Sequence, residues 1–239
     1  MPILEEWKLS LDEGHILRAQ GANPDILRKR RPALVEIAAW ALKEGLPLLQ
    51  PTVIYRKLAV QMLRHERLEL AAGGEGAKRP YISGRLIGQH LGPAEQLVVM
   101  VCTLGSTLED LASELMATDP LHGWALDSLG SAAVEALATS ACNYFEAQAF
   151  GQGMQTSLPL SPGMIGWPVD QGQAQIFELL EAEQTRYPSR HVRLTSSSQM
   201  IPRKSLSLVL GIGKHAGSAS RTCDFCSMKE TCRYQNHYG

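Results

Sequence analysis

Three cysteines near the C-terminus place the strongest constraint on how this chain can fold. Cys223, Cys226 and Cys232 form a C-x2-C-x5-C array. Clustered thiolates suit iron or zinc, and two cysteines separated by two residues can bind one metal or one face of a cluster. The array follows a run over residues 211–220 that is rich in glycine and serine. We therefore expect a metal-binding tail, appended to the core rather than part of it.

A closed metal site needs a fourth ligand in addition to these three thiolates. The candidates elsewhere in the chain are Cys102, Cys142, His215 and His237. A fourth cysteine would give an all-thiolate set suited to a [4Fe–4S] cluster, whereas His237 would give a set suited to structural zinc. We favour iron–sulfur, with Cys102 as the fourth ligand, because zinc sites usually have two paired cysteine knuckles and this chain has one.

Charge and hydropathy exclude several classes of function. The formal net charge of −1 gives no general attraction to nucleic acid. No segment approaches 18 uninterrupted apolar residues, and residues 1–8 lack a signal-peptide layout, so we expect no membrane association and a cytoplasmic location. Cysteines stay reduced in the cytoplasm, which favours metal binding over disulfides.

Helix-start patterns recur through the first half of the chain. Ser10 with Glu13, and Ser106 with Glu109, form capping-box patterns, and each pattern predicts the start of a helix. Asn23, followed by a proline, predicts the start of another. Residues 52–70 are ambiguous between strand and helix.

Apolar runs over residues 96–102 and 205–210 predict buried strands, and residues 120–149 predict a long alanine-rich helix. This mixture indicates an α+β fold, with helices packed on a small and mainly antiparallel sheet. We expect three regions along the chain: an N-terminal helical and strand region over residues 1–80, which wraps the core or forms a separate unit, a core over residues 81–214, and the cysteine tail over residues 215–239.

A loop rich in proline and glycine, over residues 159–170, is a second candidate site. Gly163 and Gly166 expose backbone amides, and Asp170 begins a helix. The pattern predicts either a ligand site or a rigid connection packed by Trp167. A third candidate is a polar stripe of Asp127, Ser131 and Glu135, which spacing by four places on one helix face.

Several segments, taken in order, resemble the activation domain of vitamin B12-dependent methionine synthase. They are residues 158–164 with 168–170, which look like its ligand loop, residues 179–181 and 194–202, which look like its later motifs, and residues 127–135, which are similar to its stand-alone members. The similarity covers residues 83–213. It implies a mixed fold that acts on a cobalamin domain, supplies S-adenosylmethionine, and allows cob(II)alamin to be reduced and remethylated.

The resemblance implies that a ligand or docking surface is formed by six residues: Ser161, Pro162, Gly163, Trp167, Met200 and Pro202. The family's Arg-x-x-x-Gly-Tyr signature is changed here, because Pro159 replaces the arginine and Met164 replaces the tyrosine. Both changes weaken the expectation that S-adenosylmethionine binds.

These features predict an accessory protein that reactivates a corrinoid-dependent methyltransferase, such as methionine synthase. The cobalamin belongs to the partner protein, and an iron–sulfur cluster at the tail passes it an electron from a donor such as ferredoxin or flavodoxin. The alternative is a module that binds a corrinoid protein or S-adenosylmethionine without redox chemistry and holds structural zinc.

Overall fold

A sheet of seven antiparallel strands lies at the centre of the computed structural model, which describes residues 2–71, 79–181, 192–217, 222–226 and 229–232. Its strands are β1 (Ile3–Leu4), β2 (Thr52–Arg64), β3 (Arg67–Leu70), β4 (Tyr81–Ser83), β5 (Gln96–Thr103), β6 (Gln155–Thr156) and β9 (Ser205–Gly213). The order across the sheet is β4-β3-β2-β5-β9-β6, and β1 pairs with the start of β2. A separate pair is formed by β7 (Arg193–Leu194) and β8 (Met200–Ile201).

The ambiguous segment over residues 52–70 is a β-hairpin. Its β-branched and aromatic start favours a strand, and β2 pairs with β5 in continuous register from Thr52–Thr103 to Ala59–Gln96. A register shift between Val60 and Met62 precedes the pairing with β3. Since β2 lies in the middle of the sheet, the predicted N-terminal region shares this sheet with the predicted core.

Helices cover the sheet and extend beyond it. They are α1 (Glu13–Ala19), α2 (Pro24–Arg30), α3 (Pro32–Gly45), α4 (Arg85–His90), α5 (Thr107–Thr118), α6 (Pro120–Phe150) and α7 (Val169–Glu181), with short 3-10 helices at Leu46–Leu48 and Thr222–Phe225. The combination is an α+β fold, as the sequence predicts. None of the described helices is long and apolar enough to span a membrane.

The two faces of the sheet form two different cores. Side chains alternate along a strand, so neighbouring residues of β5 enter opposite cores. Leu97, Val99 and Val101 pack with α4, α7 and Trp167, whereas Val98, Met100 and Cys102 pack with α6. A third core joins α1, α3 and α5 to the first half of α6.

The start of α1 corrects one prediction from the sequence. The capping box is formed by Asp12 and His15, not by Ser10 and Glu13. The Asp12 carboxylate accepts a hydrogen bond from the backbone N–H of His15 at 2.9 Å, and the imidazole approaches the Asp12 backbone N–H. His15 therefore takes the role that glutamate or glutamine usually has at this position.

Candidate functional site

The segment over residues 159–168, named here the Pro-Gly loop, is folded tightly on itself. The backbone N–H of Gly163 donates to the carbonyl of Trp167 at 2.8 Å, and those of Met164 and Trp167 donate to Ser161 and Met164. Gly163 and Gly166 adopt φ angles of 98° and 92°, a region that favours glycine. Because these three amides bond within the loop, they are not available to a ligand.

Trp167 anchors this loop in the core. Its side chain is fully buried, and its indole Nε1 donates to Oε1 of Gln175 at 3.2 Å. A Cβ atom at Gly172 would lie 2.9 Å from the indole, so only glycine allows α7 to approach the ring this closely. This burial favours the rigid connection. A role of Trp167 in a docking surface stays a prediction.

The cysteine segment docks directly on the Pro-Gly loop. Cys226 pairs with Met164 in an isolated antiparallel bridge, and the Ile165 N–H donates to the Phe225 carbonyl at 2.8 Å. The Phe225 ring meets His90 edge to face, with 4.5 Å between ring centroids. Two features that are more than fifty residues apart in the sequence thus form one surface.

The three tail cysteines are half-buried, and the first two lie in one turn. The Cys226 N–H donates to the Cys223 carbonyl at 3.4 Å, and Lys229 donates from its backbone to Cys226 at 3.2 Å. Within the described part of the chain, no three His, Cys, Asp or Glu residues form a group that could hold a metal ion. Metal binding by Cys223, Cys226 and Cys232 therefore stays a prediction from their spacing and chemistry. His237 lies outside the described residues.

Cys102 lies on the wrong side of the sheet to complete this site. It is fully buried in the core under α6, where Cys142 also packs, whereas Phe225 of the tail packs on the opposite core. Burial raises the pKa of the Cys102 thiol, and it raises that of Cys142 to about 12. In this structure both thiols therefore lie on the face of the sheet opposite the tail.

His90 is a residue that the sequence analysis missed. It ends α4 and lies against the tail through Phe225, and partial burial lowers its pKa below the ordinary value. Nothing in the spacing of the chain relates position 90 to position 225. Of the histidines proposed from the sequence, His215 is exposed just after β9, on the approach to the tail.

Met200 and Pro202 belong to a segment that is fastened to the body of the protein. Met200 is half-buried against the core that contains the Pro-Gly loop, and Pro202 is buried after a cis peptide bond. The Glu109 carboxylate accepts from the Arg203 backbone N–H at 2.7 Å and from its Nε at 2.8 Å, and it raises the pKa of Arg203. A role of Met200 and the buried Pro202 in a ligand surface stays a prediction.

The polar stripe on α6 also binds the segment that leads into β9. Lys204 Nζ lies 2.8 Å from the Asp127 carboxylate and donates to the Ser131 hydroxyl at 2.9 Å. Two members of the stripe therefore hold the start of β9. The stripe is therefore not a fully solvated face.

Comparison with solved structures identifies the fold. A crystal structure of the MetH reactivation domain bound to AdoHcy matches with a TM-score of 0.66 and 15% sequence identity, over 92% of this chain and 80% of the other. The fold matches that of the MetH reactivation domain. No family model and no curated protein sequence matches this chain.

Proposed function

We propose that this protein reactivates a corrinoid-dependent methyltransferase such as methionine synthase. The observation that carries the proposal is the shared fold with the MetH reactivation domain over nearly the whole chain. The ordered segment resemblances in residues 127–202 support it independently. These 239 residues contain no Asp-x-His-x-x-Gly cobalamin motif, so in this proposal the corrinoid is bound outside them.

The methyl-donor loop has changed in a way that favours a different activation chemistry. The MetH domain of the comparison binds AdoHcy, and the family's arginine and tyrosine correspond here to Pro159 and Met164. Met164 is buried, and its sulfur accepts the Ser161 N–H at 3.2 Å. A methyl donor bound here would depend on the backbone of Ser161, Pro162 and Gly163, so tight binding of S-adenosylmethionine is not expected.

The tail supplies the electron in this proposal. Cys223, Cys226 and Cys232 would hold a [4Fe–4S] cluster beside the Pro-Gly loop. When bound, such a cluster would supply one electron, taken from a donor such as ferredoxin or flavodoxin, for the reduction of the partner's cob(II)alamin to cob(I)alamin. Thiolate-ligated clusters reach the low potentials that this reduction requires, and the protein provides the docking geometry.

Because Cys102 and Cys142 lie in the core under α6, the proposed fourth ligand is a histidine on the tail's side of the sheet. Three thiolates and one imidazole also suit structural zinc, so the metal analysis below decides between the two. The candidates are His90, which contacts the tail through Phe225, and His215 and His237, which are near the cysteines in sequence. Alanine variants of each, purified without oxygen, identify the ligand as the one whose loss lowers the iron content.

Anaerobic purification followed by iron, sulfide and zinc analysis tests the electron relay. We expect iron and sulfide in similar amounts, broad visible absorbance, and loss of both in Cys223→Ala and Cys226→Ala. Cys142→Ala is the matched control and retains the cluster. Mixing with methionine synthase in the cob(II)alamin state then follows the electron transfer by the loss of cob(II)alamin absorbance.

Two outcomes of these measurements separate the relay from its alternative. One zinc per chain with no visible absorbance would favour a non-redox module that holds the corrinoid protein. A colourless protein without either metal would end the relay hypothesis, while failure to bind any corrinoid methyltransferase would overturn the proposed function itself.

A further inference from the structure

An open cleft of about 770 Å³ lies beside the end of the Pro-Gly loop. Its walls are the tip of the β2–β3 hairpin, the start of α4, and the end of the loop at Gly166 and Pro168. A volume of this size falls within the range of sites for small molecules of nucleotide size, roughly 300–1,000 Å³.

The walls of this cleft carry a small excess of positive charge. Three arginines line it, Arg64, Arg67 and Arg85, against two glutamates, Glu66 and Glu69. Glu69 is shared by Arg67 at 3.8 Å and by Arg79 at 3.7 Å. The local excess contrasts with the net charge of −1 of the whole chain.

Two of the guanidinium groups have no carboxylate partner among the residues that the structure describes. Among the described residues, the Arg85 guanidinium has no hydrogen-bond or ion-pair partner. The Arg64 side chain donates only to the thioether sulfur of Met62, at 2.9 Å. A thioether is a weak acceptor. Their charges therefore face a concave surface, where field lines are focused and anions are attracted.

The walls of the cleft are held in place by one backbone–backbone and one side-chain–backbone hydrogen bond. The Gly84 N–H donates to the Glu66 carbonyl at 2.9 Å, and the amide of Gln171 donates to the Ser83 carbonyl at 3.0 Å. Arg67 stacks on Tyr81, with 3.7 Å between Cζ and the ring centroid, which restrains its guanidinium plane. The basic groups are thus presented by a rigid frame.

Two glycines that line the cleft allow α4 and the Pro-Gly loop to lie close together. A Cβ at Gly84 would lie 3.1 Å from the Gly166 carbonyl oxygen, and a Cβ at Gly166 would lie 3.2 Å from Cβ of Arg85. Larger residues would separate α4 from the Pro-Gly loop and spread the basic groups apart. The cleft therefore depends on this close backbone approach.

We infer that this cleft binds a phosphorylated small molecule with at least two phosphate groups, such as a nucleoside diphosphate or triphosphate. Arg64 and Arg85 contact phosphate oxygens, because the planar guanidinium fork suits this geometry. Arg67 lies beside them and completes the basic wall. This site needs neither the metal nor the corrinoid of the proposed function. Either the anion site or the proposed function can therefore be disproved without affecting the other.

Isothermal titration calorimetry of the full chain with ATP, pyrophosphate and orthophosphate tests this inference. We expect ATP and pyrophosphate to bind, with affinity falling as ionic strength rises. Arg64→Gln and Arg85→Gln each weaken binding about tenfold, since each removes a charge-assisted contact. Glu66→Gln tightens it, because a negative charge leaves the wall.

Arg28→Gln is the matched control. Arg28 is a half-exposed arginine on α2, paired with Asp25 at 3.0 Å, and it does not line the cleft. Its replacement leaves binding unchanged. Equal weakening by Arg28→Gln, orthophosphate binding as tightly as pyrophosphate, or no binding of any of the three anions would overturn the inference. Unchanged circular dichroism of each variant excludes misfolding as the cause.

Discussion

Cys226 and Met164 pair through their backbones and so join the cysteine tail to the Pro-Gly loop. Met164 itself faces inward, where it is buried against the core. The loop therefore has one surface packed into the protein and a backbone edge occupied by the tail. Any change in the tail is transmitted to this edge through Phe225 and Cys226.

The docking of the tail depends on the Phe225 side chain. Phe225 contacts His90 and the core beneath it, and its carbonyl accepts the Ile165 N–H. We predict that Phe225→Ala releases the tail and so breaks the hydrogen bond that protects the Ile165 amide. Hydrogen exchange of this amide should therefore be faster by about tenfold or more. Exchange measured by mass spectrometry on the metal-free protein checks this.

Phe150→Ala is the control for this prediction. Phe150 is 81% exposed at the end of α6, so the same truncation there removes little packing. Its Ile165 amide should exchange at the wild-type rate. An unchanged rate in Phe225→Ala would show that the tail is held by other contacts.

The five cysteines should divide into two classes by reactivity. Burial raises the pKa of Cys102 and Cys142, so both remain protonated thiols at about pH 8 and do not attack a disulfide reagent. The three tail cysteines are half-buried. We predict that Ellman's reagent titrates three thiols in the native metal-free protein and all five in denaturant; native reaction of Cys102 would contradict its assigned burial.

The same two thiols make stability depend on pH in the alkaline range. Below an unfolded thiol pKa of about 8.5, both states are protonated and the thiols contribute nothing to the pH dependence. Above it, only the unfolded chain ionises, so the free energy of unfolding falls as pH rises. Cys102→Ala with Cys142→Ala should flatten this decline in urea titrations at several pH values.

Helix starts show where sequence reasoning succeeds and where it stops. Asn23 caps α2 as predicted, because its Oδ1 accepts from the N–H groups of Asp25 and Ile26, which are its near neighbours. Ser106 is the N-cap residue of α5, which confirms the predicted helix start. The capping box itself is not formed, since Ser106 makes no side-chain cap bond and Glu109 binds Arg203 instead. A partner 94 positions away cannot be read from local spacing.

The candidate site also was predicted in part from the sequence. The run over residues 96–102 correctly predicts a buried strand, but apolar residues on both faces leave no alternation to show which core receives Cys102. The resemblance predicts the fold, which the structural comparison confirms. It did not predict the contact of His90 with Phe225, because that contact joins a feature of the fold to a tail outside the resemblance.

Trp167 should contribute more to stability than to ligand binding. Trp167→Ala removes a fully buried indole and should lower the free energy of unfolding by about 3–5 kcal/mol. Trp167→Phe keeps much of the packing but leaves the Gln175 carbonyl oxygen with only the Ser83 N–H, at 3.3 Å, and should lower it by about 1–2 kcal/mol. Urea denaturation measures both values, and equal losses would show that the hydrogen bond dominates.

The close contact between α7 and the Pro-Gly loop gives a final prediction. A Cβ at Gly172 would lie 2.8 Å from Cβ of Pro162 and 2.9 Å from the Trp167 indole. Neither group can move freely, because the ring of Pro162 is bonded to its own backbone nitrogen and the Trp167 side chain is fully buried. Gly172→Ala should therefore lower the free energy of unfolding by about 1–3 kcal/mol through overpacking.

Gly151→Ala is the matched substitution for this test. Gly151 ends α6 with φ −61°, and a Cβ there would meet only carbonyl oxygens at 3.5 Å and beyond. This change should be neutral or stabilising by about 0.4–1 kcal/mol, because alanine restricts the unfolded chain. Since displaced loop backbone would also strain the Cys226 bridge, Gly172→Ala should additionally speed exchange of the Ile165 amide, whereas Gly151→Ala should not. Loss of stability without faster exchange at Ile165 would mean that the loop and the tail are not mechanically coupled.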